Sequence, residues 1–213
     1  LEIVTDETAK PGDIFFTKDT TNNLGKEGYI MDIDDIVTIK AEQSTGAYWS
    51  TRSMLQILKL EDDTMPKGLT RDYPKYSVRS FSLDVARKPV SMETLNSIAK
   101  EMAYYKMNDF QVHLNDNLIF YEDYGSVETA MEKAYTGFRL ESDIKKGQVI
   151  EGDSKGVANA ADLTSTDLSY SKKEFREFIL DSREMGVNIV PEIDAPGHYG
   201  ACMDVRPDLH LKK

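Results

Sequence analysis

The sequence predicts an α/β protein in two parts, a small α+β layer up to about residue 75 and repeated strand–helix units after it. Three observations carry this expectation. Two short β-rich runs, 28–33 and 36–40, are followed by apolar residues at helical spacing. A polar stretch containing Pro66, Gly68 and Pro74 then interrupts the pattern. Beyond it, the interval from a capping serine to the next strand recurs at nearly constant length, as βα units do.

In the first part, Gly28-Tyr29-Ile30-Met31-Asp32-Ile33 and Ile36-Val37-Thr38-Ile39-Lys40 flank Asp34-Asp35 in a hairpin-like arrangement. Ser44 offers a side-chain oxygen as N-cap for a following helix. Ala47, Thr51, Met54, Leu55 and Leu58 recur there with a helical period and predict one buried stripe. Residues 61–74 read as a connection, which puts the domain boundary near 75, between segments 1–75 and 76–213.

In the second part, 78–83 alternates as a strand and stops at Asp84. Ser91 caps a helix with the face Leu95, Ile98, Ala99, Met102 and Ala103, and 110–114 is the next strand. The unit then recurs. Ser171-Lys172-Lys173-Glu174 has the spacing of a capping box, in which serine and glutamate satisfy two orphan amide donors reciprocally. Phe175, Phe178, Ile179 and Ser182 continue the helix face to Gly186, and 187–193 is the third strand. Ser91 to Phe110 is 19 residues and Ser171 to Ile189 is 18. Repeated units of this kind require parallel strands joined by helical crossovers. A closed (β/α)8 barrel takes eight such units and about 250 residues. Beyond position 75 lie 213 − 75 = 138 residues with three such strands, so a barrel reading expects the chain to stop before closure.

With 26 Lys and Arg against 37 Asp and Glu, the net charge of −11 repels phosphate backbones and anionic lipid, which argues against nucleic-acid and membrane partners. The single cysteine, Cys202, excludes an internal disulfide framework and any multi-cysteine metal centre. Apolar runs stay far below the roughly 18 residues of a membrane span. The start, Leu1-Glu2-Ile3-Val4-Thr5-Asp6, has neither an initiator methionine nor a basic-then-apolar leader, so a mature chain or an excised piece is expected.

Chemistry gathers at the C-terminal ends of the three parallel strands: Asp84 after the first, Asn115-Asp116-Asn117 after the second, Asp194 and His198 after the third. In parallel α/β folds this edge is where sites are assembled. Any one of these acids alone reads as a helix cap or strand-end hydrogen bond; three at one edge point to a site. Pro191-Glu192-Ile193-Asp194-Ala195-Pro196-Gly197-His198 fixes a stiff path that projects His198. A histidine beside a carboxylate on an adjacent strand is oriented, and its charged form favoured. Asp116, Asp194, His198 and His113 can also be drawn as an N/O ligand set, which keeps a metal-dependent hydrolase or deacetylase as an alternative, although no close H-x-x-x-H pair is present.

Four ordered segments carry a resemblance: Arg79-Ser-Phe-Ser-Leu-Asp84-Val-Ala-Arg87, Lys106-Met-Asn-Asp-Phe-Gln-Val-His113-Leu-Asn-Asp116, Gly137-Phe138-Arg139-Leu140-Glu141, and the loop 191–198. Together they resemble the family 20 glycoside hydrolases, the β-N-acetylhexosaminidases and lacto-N-biosidases. Residues 28–58, with Gly46-Ala47-Tyr48-Trp49, resemble the small α/β domain that precedes their barrel.

The resemblance implies a small α+β domain followed by an incomplete (β/α)8 TIM barrel. It also implies retaining hydrolysis of terminal β-linked N-acetylglucosamine or N-acetylgalactosamine, with the substrate's own acetamido oxygen as nucleophile. No cofactor or metal is implied, the partner is a glycan, and the location is extracellular or at the cell surface. The family's Asp-Glu pair follows the fourth barrel strand, so residues 1–213 alone are expected to be inactive. Asp34-Asp35, Glu61-Asp62-Asp63 and Glu122-Asp123 read instead as solvated turns.

By position, Arg79 resembles the arginine that grips sugar hydroxyls, against the alternative of an ion pair with an acid such as Asp116 or Asp194. Asp116 and His198 resemble the pair that supports the catalytic Glu, and Asp194 shapes the loop and the subsite floor. Asp84 and Arg87 read as packing and charge pairing near the rim, His113 as a satisfied core histidine or one that supports the site from behind rather than a catalyst, His210 as a surface residue, and Trp49 with Tyr104-Tyr105 as core. Two departures stand out: Asn117 follows Asp116 where the family usually has a second acid, and Phe138 stands in place of a common Trp. Residues 118–136, with Tyr121, Tyr124 and Tyr135, and the polar stretch 145–169 read as insertions that shape the site's mouth. A noncatalytic carbohydrate-binding barrel is the remaining alternative. An open barrel edge is expected to promote self-association.

Overall fold

The computed structural model describes residues 3, 5, 8–117, 125–126, 136–142, 164–165, 168–199 and 202. The chain divides into two compact units, Leu1–Arg79 with Met102–Asn108, and Ser80–Glu101 with Asp109–Lys213.

The first unit is a four-stranded sheet, β1 (Ile14–Lys18), β2 (Tyr29–Ile33), β3 (Val37–Ala41) and β4 (Gly68–Asp72), in the order β1-β3-β2-β4, with helix α1 (Ser44–Leu60) between β3 and β4. β1 runs parallel to β3, whereas β2 pairs antiparallel with both β3 and β4. The hairpin expectation for β2 and β3 holds. Alternation drives it: Tyr29, Met31 and Ile33 are buried on one face while Asp32 faces out. Lys67 joins the turn by pairing with both Asp34 and Asp35 at 2.6 Å.

β1 and β4 lie outside the sequence expectation, and β4 corrects the reading of 61–74 as a plain connection. Both are edge strands with largely exposed residues, so neither displays the period-2 burial that marks a strand. The helix also departs in detail. Its N-cap is Gln43, with no side-chain cap, not Ser44, and the buried residues are Gly46, Trp49, Ser50 and Met54 while Leu55 is 45% exposed. Gly46 sets this rotation: a Cβ there would lie 2.3 Å from the Gly28 carbonyl oxygen, so the helix approaches the chain by its backbone.

The second unit contains β5 (Ser80–Asp84), β6 (Asp109–His113) and β9 (Asn188–Glu192), a parallel sheet in the order β5-β6-β9. Helices α2 (Met92–Tyr104) and α3 (Lys172–Glu184) precede β6 and β9. The two capping serines act as expected. Thr94 N donates to Ser91 Oγ at 3.1 Å, and Ser171 with Glu174 forms the reciprocal capping box. Leu95, Ala99, Met102 and Ala103 are buried along α2, and Phe175, Phe178 and Ser182 along α3. Phe110 of β6 packs edge-on against Phe178, with ring centroids 6.1 Å apart.

A two-stranded antiparallel ribbon, β7 (Asn115–Asn117) with β8 (Thr136–Phe138), follows β6 directly and was not expected. Most of 118–136 and 145–169, with Tyr121, Tyr124, Tyr135 and His210, lies outside the described residues. No helix among the described residues is long and apolar enough to cross a membrane.

Candidate active site

Sheet register assembles the site. Asp84, His113 and Glu192 are the last residues of β5, β6 and β9, and they are register partners, Asp84 with His113 and His113 with Glu192. Strand residues at equivalent register point to one face, so these three side chains form a row across the C-terminal edge. The opposite face of β6 carries Phe110 and Val112, both fully buried. Alternation therefore sends the apolar residues one way and Gln111 and His113 the other.

Asp116, only 2% exposed, is the hub. Its Oδ2 lies 2.7 Å from His113 Nε2 and 2.6 Å from Arg87 Nη2, and its Oδ1 lies 2.7 Å from His198 Nδ1. A buried carboxylate needs this degree of compensation. Arg87 is itself held by Asp84, whose Oδ2 accepts from Nη1 at 2.7 Å while Oδ1 accepts the backbone N–H groups of Ala86 and Arg87.

Two polar residues fix the loops that carry these groups. Asn115 is 1% exposed; its Nδ2 donates to the carbonyl oxygens of Asp194 and His198 at 3.0 Å, and its Oδ1 accepts from Asp194 N at 2.8 Å. This clamps loop 193–198 over β6. His198 sits in the left-handed region at φ 55°, a conformation a non-glycine residue holds only when its surroundings fix it. Arg139, with no exposure, donates to the carbonyl oxygens of Val85 at 2.6 Å, Ala86 at 2.8 Å and Leu168 at 2.8 Å. It thereby pins the turn that aims Arg87.

Electrostatics favours a protonated His113. Burial pulls its pKa down, but the hydrogen bond to Asp116 and the charges of Asp84, Glu192 and Asp116 outweigh that, and the net shift is upward from 6.5. Glu192 Oε2 is 3.5 Å from His113 Nδ1 and accepts from Gln111 Nε2 at 2.5 Å.

The structure brings together Asp116 and His198, with Asp194 on the clamped loop. It does not bring Arg79 to them. Arg79 precedes β5, whereas Asp84 is its last residue. The Arg79 guanidinium is committed to Glu27, to the Lys106 carbonyl at 2.7 Å and to the Tyr76 carbonyl at 2.8 Å, in place of the alternative pairing with Asp116 or Asp194. Sequence reasoning undervalued Arg87. Strand polarity could have found it, because a residue three positions beyond a strand's end lies at the edge where sites form.

His113 has ligand-type atoms within 4.8 Å of those of Asp84 and Asp116, and likewise of Glu192 and Asp194. The expected ligand set of Asp116, Asp194, His198 and His113 is not among these groupings. In the first grouping Arg87 already bridges both acids, so the set reads as a charge-compensated network.

Residues 76–213 match the profile described as glycosyl hydrolase family 20, catalytic domain, and residues 1–73 match that of glycosyl hydrolase family 20, domain 2. A beta-hexosaminidase of Vibrio furnissii is 25% identical over 198 residues, covering 89% of this chain and 30% of that protein. One from Porphyromonas gingivalis is 26% identical, covering 98% and 26%. The chain thus spans about a quarter to a third of the length of these relatives. Among solved structures, the exo beta-N-acetylglucosaminidase of Vibrio harveyi in complex with N-acetylglucosamine aligns at TM-score 0.66 and 25% identity, over 93% of this chain and 30% of that one. The beta-N-acetylhexosaminidase of Streptomyces coelicolor aligns at TM-score 0.67 and 25% identity, over 96% and 38%. With its own first 73 residues on the family's second domain and the remainder from 76 onward on the catalytic domain, the chain belongs to glycoside hydrolase family 20.

Proposed function

We propose that the protein containing this sequence hydrolyses terminal β-linked N-acetylhexosamine by substrate-assisted retaining catalysis. The observation that carries the reading is the Asp116–His198 pair beside Arg87 at the C-terminal edge of parallel strands, in a family 20 chain. Asp116 orients the His198 imidazole through its ring Nδ1. From there the histidine supports the general acid. In the reaction, the acetamido carbonyl oxygen bonds to the anomeric carbon as the glycosidic C–O bond breaks, and the leaving oxygen takes a proton from a Glu. The same Glu then deprotonates the water that opens the oxazolinium, which restores the original anomeric configuration.

Arg87, rather than Arg79, is the arginine of this reading that faces sugar hydroxyls. Its guanidinium is held at the site edge by two acids, with about a third of the side chain exposed, and a fixed fork of donors suits vicinal oxygens. The only adjacent Asp-Glu in the sequence, Asp6-Glu7, precedes every strand, so residues 1–213 alone are proposed not to turn over substrate. The test is release of chromophore from a β-N-acetylglucosaminide by this chain and by the product of the complete gene. Turnover by the complete protein only is expected. Turnover by the 213-residue chain would sink the missing-pair argument, and inactivity of the complete protein on every hexosaminide would sink the glycosidase reading.

A further inference from the structure

The Asp116–His198 pair does not end at Asp116. The other oxygen of the same carboxylate meets His113, which is 9% exposed, and the far ring nitrogen of His113 faces Glu192. We propose that His113 is a positioning residue that couples Glu192 to the Asp116–His198 pair, giving a continuous chain Glu192–His113–Asp116–His198 across the strand ends. Its role in hydrolysis rests on the glycosidase reading, whereas the coupling itself is measured without substrate.

Four features support the chain. The register places His113 between Asp84 and Glu192, so an imidazole on β6 has a carboxylate on each neighbouring strand. Asp116 as a carboxylate only accepts hydrogen bonds, so His113 Nε2 carries the proton toward it and Nδ1 is left to face Glu192. Gln111, two residues back on the same face, donates to Glu192 and holds that carboxylate beside the ring. The chain also opens to solvent at the His198 end, where the side chain is 45% exposed, so protonation at one end can be felt at the other.

The charged groups facing His113 are Asp84 from β5, Asp116 from β7, Glu192 from β9 and Asp194 from the following loop, with Arg87 balancing Asp84 and Asp116. The acids favour an imidazolium. That cation partly cancels the charge that Asp116 presents to the His198 ring.

The test is an NMR titration of the imidazole rings in the 213-residue chain, which has only three histidines to assign. The His113 midpoint is expected above 6.5. His113→Gln keeps an amide donor for Asp116 but removes the cation, and the ring nitrogen resonances of His198 are expected to move at fixed pH. Glu192→Gln is expected to lower the His113 midpoint. A folded His113→Gln chain with His198 unmoved would overturn the proposal. If His113→Gln loses its dispersed amide spectrum, Glu192→Gln decides alone, and an unmoved His113 midpoint is then the overturning result. Coupling present with a complete protein inactive on hexosaminides would sink the glycosidase reading and leave the chain standing. Absent coupling in a protein that hydrolyses them would do the reverse.

Discussion

Each unit contains a part-buried ionic network, and the two are finished differently. In the first, Lys106 Nζ contacts Asp72 Oδ2 and Ser53 Oγ at 2.6 Å and Tyr29 OH at 3.0 Å, while the Tyr29 hydroxyl itself donates to Asp72 at 2.8 Å. The ring closes on itself. In the second, the contacts from Arg87 and His113 meet at Asp116 and lead outward to His198 at the surface. A ring closed around one ammonium ties chain segments together; a network built on imidazoles can hand a proton to something else near neutral pH.

The strongest way to break the open network is from beneath. Arg139 lies under the turn at Val85 and Ala86, and Arg139→Met would leave three carbonyl oxygens without this donor. A loss of about 3–5 kcal/mol in urea-unfolding free energy is expected, as for other breaks in buried polar networks. Arg139→Lys should recover only part, because an ammonium on a flexible stem does not reproduce the planar fork. A loss below about 1 kcal/mol for Arg139→Met would mean that the turn holds itself.

Lys106→Met sharpens the contrast from the other side. The expected cost is smaller, about 2 kcal/mol, since Asp72 keeps 43% of its side chain in solvent and remains hydrated when its partner goes. Because that network closes within its own unit, the His113 titration should be unchanged. A shifted histidine midpoint in Lys106→Met would show that the two networks communicate.

This contrast was only partly legible in the sequence. Strands and helices with one buried face were visible, because Tyr29-Met31-Ile33 and Phe175-Phe178-Ser182 alternate or recur with the period of their element. The edge strands Ile14–Lys18 and Gly68–Asp72 were not, since pairing at an exposed edge leaves no burial pattern to read. Within the site, Asp116, Asp194 and His198 were legible from their places after strands. The contacts of Arg79 with Glu27 and the Lys106 carbonyl oxygen were not legible, because they depend on segments distant in sequence. The hub character of Asp116 was out of reach, because it depends on cross-strand register and on two loops meeting, neither of which local spacing encodes.

The smallest expected effect is also the most selective. Folding raises the His113 pKa, so the folded chain holds that proton more tightly than the unfolded one. Its stabilising contribution is therefore full below about pH 6.5 and is lost as the pH rises through the folded-state value, amounting to about 1.4 kcal/mol for each unit by which folding raises the pKa. Lys106 is also raised by its partners, against the effect of its burial, but from 10.5, so its contribution stays in place across the neutral range. Urea unfolding at pH 6 and pH 8.5 should accordingly show the native chain losing stability over that interval. His113→Gln should lose less, and the difference between the two slopes reports His113 together with the groups coupled to it. Equal losses in both chains would mean that His113 is not charged between its acids, and the open network would then rest on Arg87 alone.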